Sequence, residues 1–201
     1  MYICEIIVEY MEHIDIFQGG VSVSRVICGS GLSLKSDLGK CLEPYKHVFV
    51  VADRQVVNAS CVVSDLVNEF LAKEVPVKVL DVSESLKTMD TVLDICSWLL
   101  EQGADRDALV VAVGGGITAD MTGFAASIYK RGVRYANVPT TLLAQVDAAL
   151  GGKTGVNHDK YKNILGVIRQ PEFVYLCPQV LSSLPHKEFI AGAAELLKTF
   201  I

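Results

Sequence analysis

The chain has 201 residues, 51% of them hydrophobic and 20% charged, which is enough apolar side chain to bury a sizeable core and too little charge for a disordered polymer. Its formal charge of -5, with no long basic run, weighs against binding nucleic acid or anionic membrane through bulk electrostatics and leaves room only for a local basic pocket. No apolar stretch is long enough to span a bilayer, and Glu5 and Glu9 stand where a signal peptide has a basic flank and an apolar centre, so a cytoplasmic protein without membrane contact is expected.

Residues 1–20 interleave apolar and acidic side chains without a clear period and read only as strand. Beyond them, short β-branched runs alternate with longer amphipathic segments, the pattern of βα units around a parallel sheet. Strands are predicted at 22–28, 47–51, 75–82, 109–113, 135–138 and 173–176. Helices at 62–73 and 88–102 carry apolar residues three and four apart, as at Val92, Ile95, Leu99 and Leu100, and Gly103 supplies a C-terminal stop. The six cysteines, at 4, 28, 41, 61, 96 and 177, form no CxxC pair and have no close histidine partner. Most are therefore read as small buried hydrophobes, with no zinc knuckle or disulfide framework indicated.

The strand at 109–113 runs into Gly114, Gly115 and Gly116, then into a helix at 117–128 with Asp120 in its first turn. Glycines at such a junction let a diphosphate approach backbone N–H groups at the positive end of a helix dipole. The run is not GxGxxG, and taken alone it is as well read as a tight turn, with Asp120 a helix-favouring charge.

After Pro139, residues 140–170 are crowded with glycine, threonine and polar side chains, which in a compact domain reads as a site in preference to a linker. Gly152-Lys153-Thr154 resembles the tail of a P-loop, but the glycine needed five positions earlier is Asp147 and no predicted strand feeds the run, so a P-loop is rejected. Asp147, Lys153, Asn157, Asp159, Lys160, Lys162 and Asn163 remain close together among several hydroxyls. Such a set suits a polyhydroxylated, phosphorylated small molecule, although a solvated loop has the same composition. The segment 185–201 returns to helical spacing, with Glu188, Gly192, Glu195 and Lys198 on one face; by spacing alone Glu195 and Lys198 are no more than a surface pair. It stops inside its pattern without a C-cap, so a longer parent chain is expected.

Taken together and in this order, GGGITADMTGFAASIYKRG, VPTTLLAQVDAALGGKTGVN and AGAAELLK closely resemble the central block of the dehydroquinate synthase family of sugar-phosphate cyclases. The resemblance runs from about residue 50 to the end and is weak before Val21. It implies an α/β fold, a Rossmann-like parallel-sheet domain that binds NAD over 1–184, then the first helix of an all-α metal-binding domain over 185–201, with the active site in the cleft between them. It implies that Gly114, Gly115 and Gly116 hold the dinucleotide diphosphate and that Asp120, Thr140, Thr141, Leu143, Lys153 and Lys162 lie against the dinucleotide. Asp53 resembles the adenosine-end carboxylate, Glu84 and Lys87 the family's Glu-x-x-Lys contact, and Ser183 stands where the family has threonine. Arg131, Asp147, Lys153 and Asn163 match substrate-cleft residues, Lys198 a substrate-binding lysine and Glu195 a metal-binding carboxylate.

The reaction so implied converts 3-deoxy-arabino-heptulosonate 7-phosphate to 3-dehydroquinate and phosphate, with NAD and a divalent metal, zinc or cobalt. NAD takes hydride from a ring alcohol, the neighbouring carbon becomes acidic enough to eliminate phosphate, the hydride returns, and ring opening and aldol closure follow. The resemblance also implies a homodimer. Ala119 replaces the last glycine of the family's GGG-x-x-G-D turn, and Ala148 and Leu150 are mild variants. The family's metal-binding histidines fall beyond Ile201, and His13, His47, His158 and His186 lack the matching context, so these 201 residues are expected to be inert alone. Competing readings are another sugar-phosphate cyclase, a metal-dependent polyol dehydrogenase, which would release NADH, and a nucleotide-binding module without chemistry.

Overall fold

The structure, a computed structural model, describes residues 12–200. Its centre is a seven-stranded sheet in the order β4-β3-β5-β6-β9-β2-β1. These strands are β1 (Glu12–Gln18), β2 (Val21–Cys28), β3 (Val48–Asp53), β4 (Val77–Leu80), β5 (Leu109–Gly114), β6 (Arg134–Pro139) and β9 (Phe173–Leu176). All pair in parallel except the edge strand β1, which is antiparallel to β2. The six predicted strands are all present. They were legible because a parallel sheet covered on both faces needs near-continuous apolar runs. In β5, Leu109, Val111 and Val113 enter one core cluster and Val110 enters the other, and every residue of the strand is buried.

Helices α1 (Asp37–Leu42), α2 (Arg54–Ala59), α3 (Cys61–Ala72), α4 (Met89–Glu101), α5 (Gly116–Ile128) and α6 (His186–Phe200) complete the main elements. Local chemistry sets several boundaries. Ser60 caps α3 through the Val63 N–H and Thr88 caps α4 through the Thr91 N–H, each cap worth about 1 kcal/mol. Leu66, Val67 and Phe70 of α3 pack on one face of the sheet, while Val92, Ile95 and Leu99 of α4 join Met121 and Phe124 of α5 on the other.

Two differences from the sequence reading matter. The sequence predicts neither of the short helices α1 and α2; residues 12–18 form the strand expected there, Gly19 and Gly20 make the turn after it, and residues 1–11 lie outside the described residues. The larger correction concerns residues 140–170, which form a π-helical turn (Ala144–Ala148) and an antiparallel ribbon of β7 (Lys153–His158) and β8 (Tyr161–Ile168). The ribbon lies on α5: Val156 is fully buried in the core, and a methyl group added at Gly123 would come 2.5 Å from Thr154 Cγ2. Helix α6 then crosses the π-turn so closely that a methyl group at Gly192 would lie 2.6 Å from the Leu143 backbone nitrogen.

Candidate functional site

From β3 the chain passes outward to β4, and then returns to build β5 on the other side of β3. In a parallel sheet this reversal opens a crevice beyond the strands' carboxyl ends. Asp53 ends β3 there, and Gly114 ends β5 beside it. Contact favours glycine firmly at two of the three positions and crowds the third: a methyl group at Gly114 would lie 2.5 Å from Thr118 Oγ1 and one at Gly116 2.9 Å from Ala148 Cβ, while one at Gly115 would lie 3.2 Å from Thr141 Cγ2. Gly115 caps α5 with no side-chain hydrogen bond, so no side chain satisfies the first N–H groups of the helix. Beside this turn the Thr118 and Thr140 hydroxyls are buried without a protein partner, while the Thr140 N–H donates to the Gly114 carbonyl at 2.9 Å. Bare helix amides, glycines that a side chain would obstruct and orphaned hydroxyls fit the diphosphate of a dinucleotide.

Asp53 is only 8% exposed and accepts from the Gln55 N–H at 2.8 Å as the cap of α2. Burial pushes its carboxyl above the ordinary aspartate range, partly offset by the Gln55 and Val56 amides. Across the crevice, Lys87 leaves a 3-10 turn (Glu84–Leu86) and is 5% exposed. Its Nζ donates to Asp120 Oδ2 and to Asn163 Oδ1, both at 2.5 Å. Burial raises the Asp120 carboxyl although the Lys87 ammonium opposes the shift, so desolvation outweighs the ion pair. The Asn157 amide, and then Lys162, hold the Glu84 carboxyl below its ordinary range, with Lys162 Nζ at 3.2 Å.

Beyond this group lies a cleft of about 460 Å³ walled by Asp120, Asp147, Lys153, Asn163 and further residues of β8. Lys153 is 3.4 Å from Asp147 Oδ1. On α6, Lys198 donates to Glu195 Oε1 at 2.9 Å; its ammonium is held above the ordinary lysine range by Glu195 first, with Asp147 adding to the same field. A larger hollow, about 560 Å³, lies at the opposite, amino-terminal edge among His47, Phe70 and Val75. The smaller cleft is the better candidate because the glycine turn and the crossover both lie at the carboxyl edge.

The structure thus brings together Asp120, Lys87 and Asn163, links Glu84 with Lys162, pairs Asp147 with Lys153 and sets Glu195 beside Lys198. Thr141 Oγ1 accepts from the Ala144 N–H, and Leu143, 38% exposed, precedes the π-turn. Ser183 lies in the 3-10 turn after β9 and donates to the Val180 carbonyl. Arg131 is not brought to the cleft. It sits in a left-handed turn (φ 69) past the C-terminus of α5, so the 13-residue helix, about 20 Å at ~1.5 Å per residue, separates it from Gly116. Glu195 is one carboxylate; among the described residues no group of three His, Cys, Asp or Glu side chains is placed to hold a metal ion. Gln145, given no role from sequence, and Asn157, read there only as one of the polar set, also shape the site. Gln145 Nε2 donates to the carbonyls of Pro139 and Cys177, tying the π-turn to the ends of β6 and β9, and Asn157 bonds to both Glu84 and Asn163.

Comparison with known proteins agrees with this geometry. The family model described as 3-dehydroquinate synthase N-terminal matches residues 77–191, more than half of the chain. A 3-dehydroquinate synthase of Rippkaea orientalis is 41% identical over 169 residues, covering 81% of this chain and 45% of that protein. One from Legionella pneumophila (strain Paris) is 38% identical over 190 residues, covering 94% of this chain and 51% of its own length. The chain therefore spans about half the length of the curated relatives it matches. Among solved structures, a 2-deoxy-scyllo-inosose synthase complexed with carbaglucose-6-phosphate, NAD+ and Co2+ superposes with a TM-score of 0.74 at 30% identity, over 87% of this chain and 48% of that one. A 2-epi-5-epi-valiolone synthase from Streptomyces hygroscopicus subsp. jinggangensis with NAD+ and Zn2+ bound gives 0.79 at 31% identity, over 92% and 51%. An iron-containing alcohol dehydrogenase, at 16% identity and a TM-score of 0.61, shares the fold alone.

Proposed function

This chain belongs to the 3-dehydroquinate synthase family, and from that we propose that its carboxyl-edge crevice binds NAD within a protein that converts 3-deoxy-arabino-heptulosonate 7-phosphate to 3-dehydroquinate and phosphate. The observation that carries the cofactor reading is the uncapped start of α5 at Gly115, flanked by the orphaned hydroxyls of Thr118 and Thr140. NAD bound there supplies a hydride acceptor that returns its hydride within the same turnover.

The chain's own residues provide binding and orientation. The backbone at Gly114–Gly116 receives the diphosphate, and Asp53, as a carboxylate, accepts from ribose hydroxyls. Thr140, Thr141, Leu143 and Ser183 line the remaining cofactor path, with Glu84, Lys87, Asp120 and Lys162 at its other wall. Lys153 and Lys198 offer positive charge to the sugar phosphate, and Asn163 and Asp147 hydrogen-bonding groups to its hydroxyls. Arg131, assigned to the substrate by resemblance, keeps that role in this proposal without a contact inside the cleft. A catalytic zinc or cobalt normally needs about three protein ligands, so Glu195 serves as one member of a set that the described residues do not complete. Residues 1–184 are then the NAD domain and 185–201 the first helix of a metal-binding region, in a cytoplasmic homodimer. Among the described residues no helix is long and apolar enough to cross a membrane.

Phosphate release from the seven-carbon keto sugar phosphate, with NAD and divalent metal, tests the activity on a protein carrying this chain at the length of its relatives. Release supports the synthase. Release only from a different phosphorylated ketose favours a sibling cyclase, a reading supported by the 30–31% identity to two solved cyclases of other names. Net release of NADH would contradict both.

A further inference from the structure

The ribbon of β7 and β8 is not regular. Val156 pairs with Leu165, but His158 pairs with Tyr161, so Asn157 alone stands opposite the three residues Lys162, Asn163 and Ile164. Extra residues in one strand make a bulge, which bends the strand and turns its side chains to a new direction. Asn163 accommodates the bulge in the left-handed region at φ 53, a conformation asparagine tolerates better than most residues.

Three polar groups of Asn157 are used in holding this irregularity. Its Oδ1 accepts the Asn163 N–H at 2.9 Å, replacing the ladder partner that the bulge removes. Its Nδ2 donates to Glu84 Oε1 at 3.0 Å and to the Glu84 carbonyl at 3.3 Å. Its backbone N–H donates to the Lys87 carbonyl at 2.9 Å. One side chain thus ties the 84–87 turn to the bulge. The consequences are the two contacts seen on the far side of that tie, Asn163 Oδ1 on Lys87 and Lys162 Nζ on Glu84.

We propose that Asn157 is a positioning residue for cofactor binding: it fixes the bulge so that Lys162 and Asn163 face Glu84 and Lys87 across one wall of the crevice. This rests on the reading that the crevice binds NAD. Loss of the Asn157 side chain takes a partner from the Asn163 amide and from the Glu84 carboxylate together, so one substitution disturbs both sides of the wall.

The test is titration of NAD into the 201-residue chain and its variants, with thermal melting of each as a check on folding. Asn157→Ala is expected to weaken NAD about tenfold or more. On an Asn163→Ala background the same substitution should cost measurably less than on the parent, because the Asn163 contact on Lys87 that it supports is already gone while the tie to Glu84 remains; a full, additive loss would show that the effect does not pass through the bulge and overturn the proposal. Asn157→Asp keeps the acceptor for the Asn163 N–H but sets a second carboxylate against Glu84, and a loss of the same order is expected from that variant if the alanine variant fails to fold. Affinity within twofold of the parent in either folded variant overturns the positioning role alone. No binding by a cooperatively melting parent chain overturns the cofactor reading and this proposal with it.

Discussion

At Asp53 the demands of the fold and of the ligand separate. As a helix cap its carboxylate can be replaced by an amide, since asparagine caps about as well, whereas Ala costs about 1 kcal/mol. In the proposed role of acceptor for ribose hydroxyls in a buried place, the charge itself matters. Asp53→Asn is therefore expected to melt within a few degrees of the parent yet bind NAD at least tenfold more weakly by calorimetric titration. The pH dependence follows in sign. A carboxyl raised in the folded state contributes stability below its unfolded value and loses it as pH rises through the folded value, so the Asn variant should gain on the parent across that window. NAD affinity of the parent should move the other way, falling as acid protonates Asp53 at a higher pH than an ordinary aspartate. Lys87 poses a different case. Lys87→Met strands the Asp120 carboxylate, and a loss of about 3 kcal/mol in urea denaturation is expected, the low end for a buried pair because the Asp120 side chain is 20% exposed. Adding Asp120→Asn should recover most of it; no recovery would show that the lysine acts through packing. Of these residues, the glycines and Asp120 stand out at a strand-to-helix junction, where by position alone they read equally as a tight turn and a helix-favouring charge; their roles came from the family resemblance. The burial of Lys87 and the ties of Asn157 were not legible, because both depend on a partner more than 30 residues away in sequence.

Among the elements, α6, which bears Glu195 and Lys198, approaches the π-turn closely because Gly192 has no side chain there. Helix propensity favours Gly192→Ala by roughly 1 kcal/mol. The added methyl would nevertheless meet the Leu143 backbone nitrogen at 2.6 Å, and backbone cannot swing aside as a side chain can. The expected result is net destabilisation of about 1–2 kcal/mol by thermal melting, and a stabilised variant would contradict this packing. The ribbon shows why some elements escape a reading of sequence. All eight residues of β8 are exposed, so no alternation marks it, and the bulge breaks what period remains. Its turn lacks the expected glycine too: Asp159, at φ 53, takes the left-handed place. By contrast α3 and α4 bury one stripe each, α5 is buried nearly all round, and all three were placed to within a residue.

For the molecule as a whole, binding and turnover are expected to part company. The crevice is built from β3, β5, α5, the 84–87 turn and the ribbon, all within the described residues, whereas a three-ligand metal group is not among them. The isolated 201-residue chain should therefore bind NAD yet release no phosphate from the keto sugar phosphate; detectable turnover would show that the catalytic set is complete here. Calorimetric titration of NAD into that chain, beside Gly116→Val, decides whether the glycine turn is a cofactor site. Saturable binding at one site per chain, lost in a valine variant that still melts cooperatively, is the expected result. A flat titration from the folded parent, or equal binding by the two proteins, would contradict it.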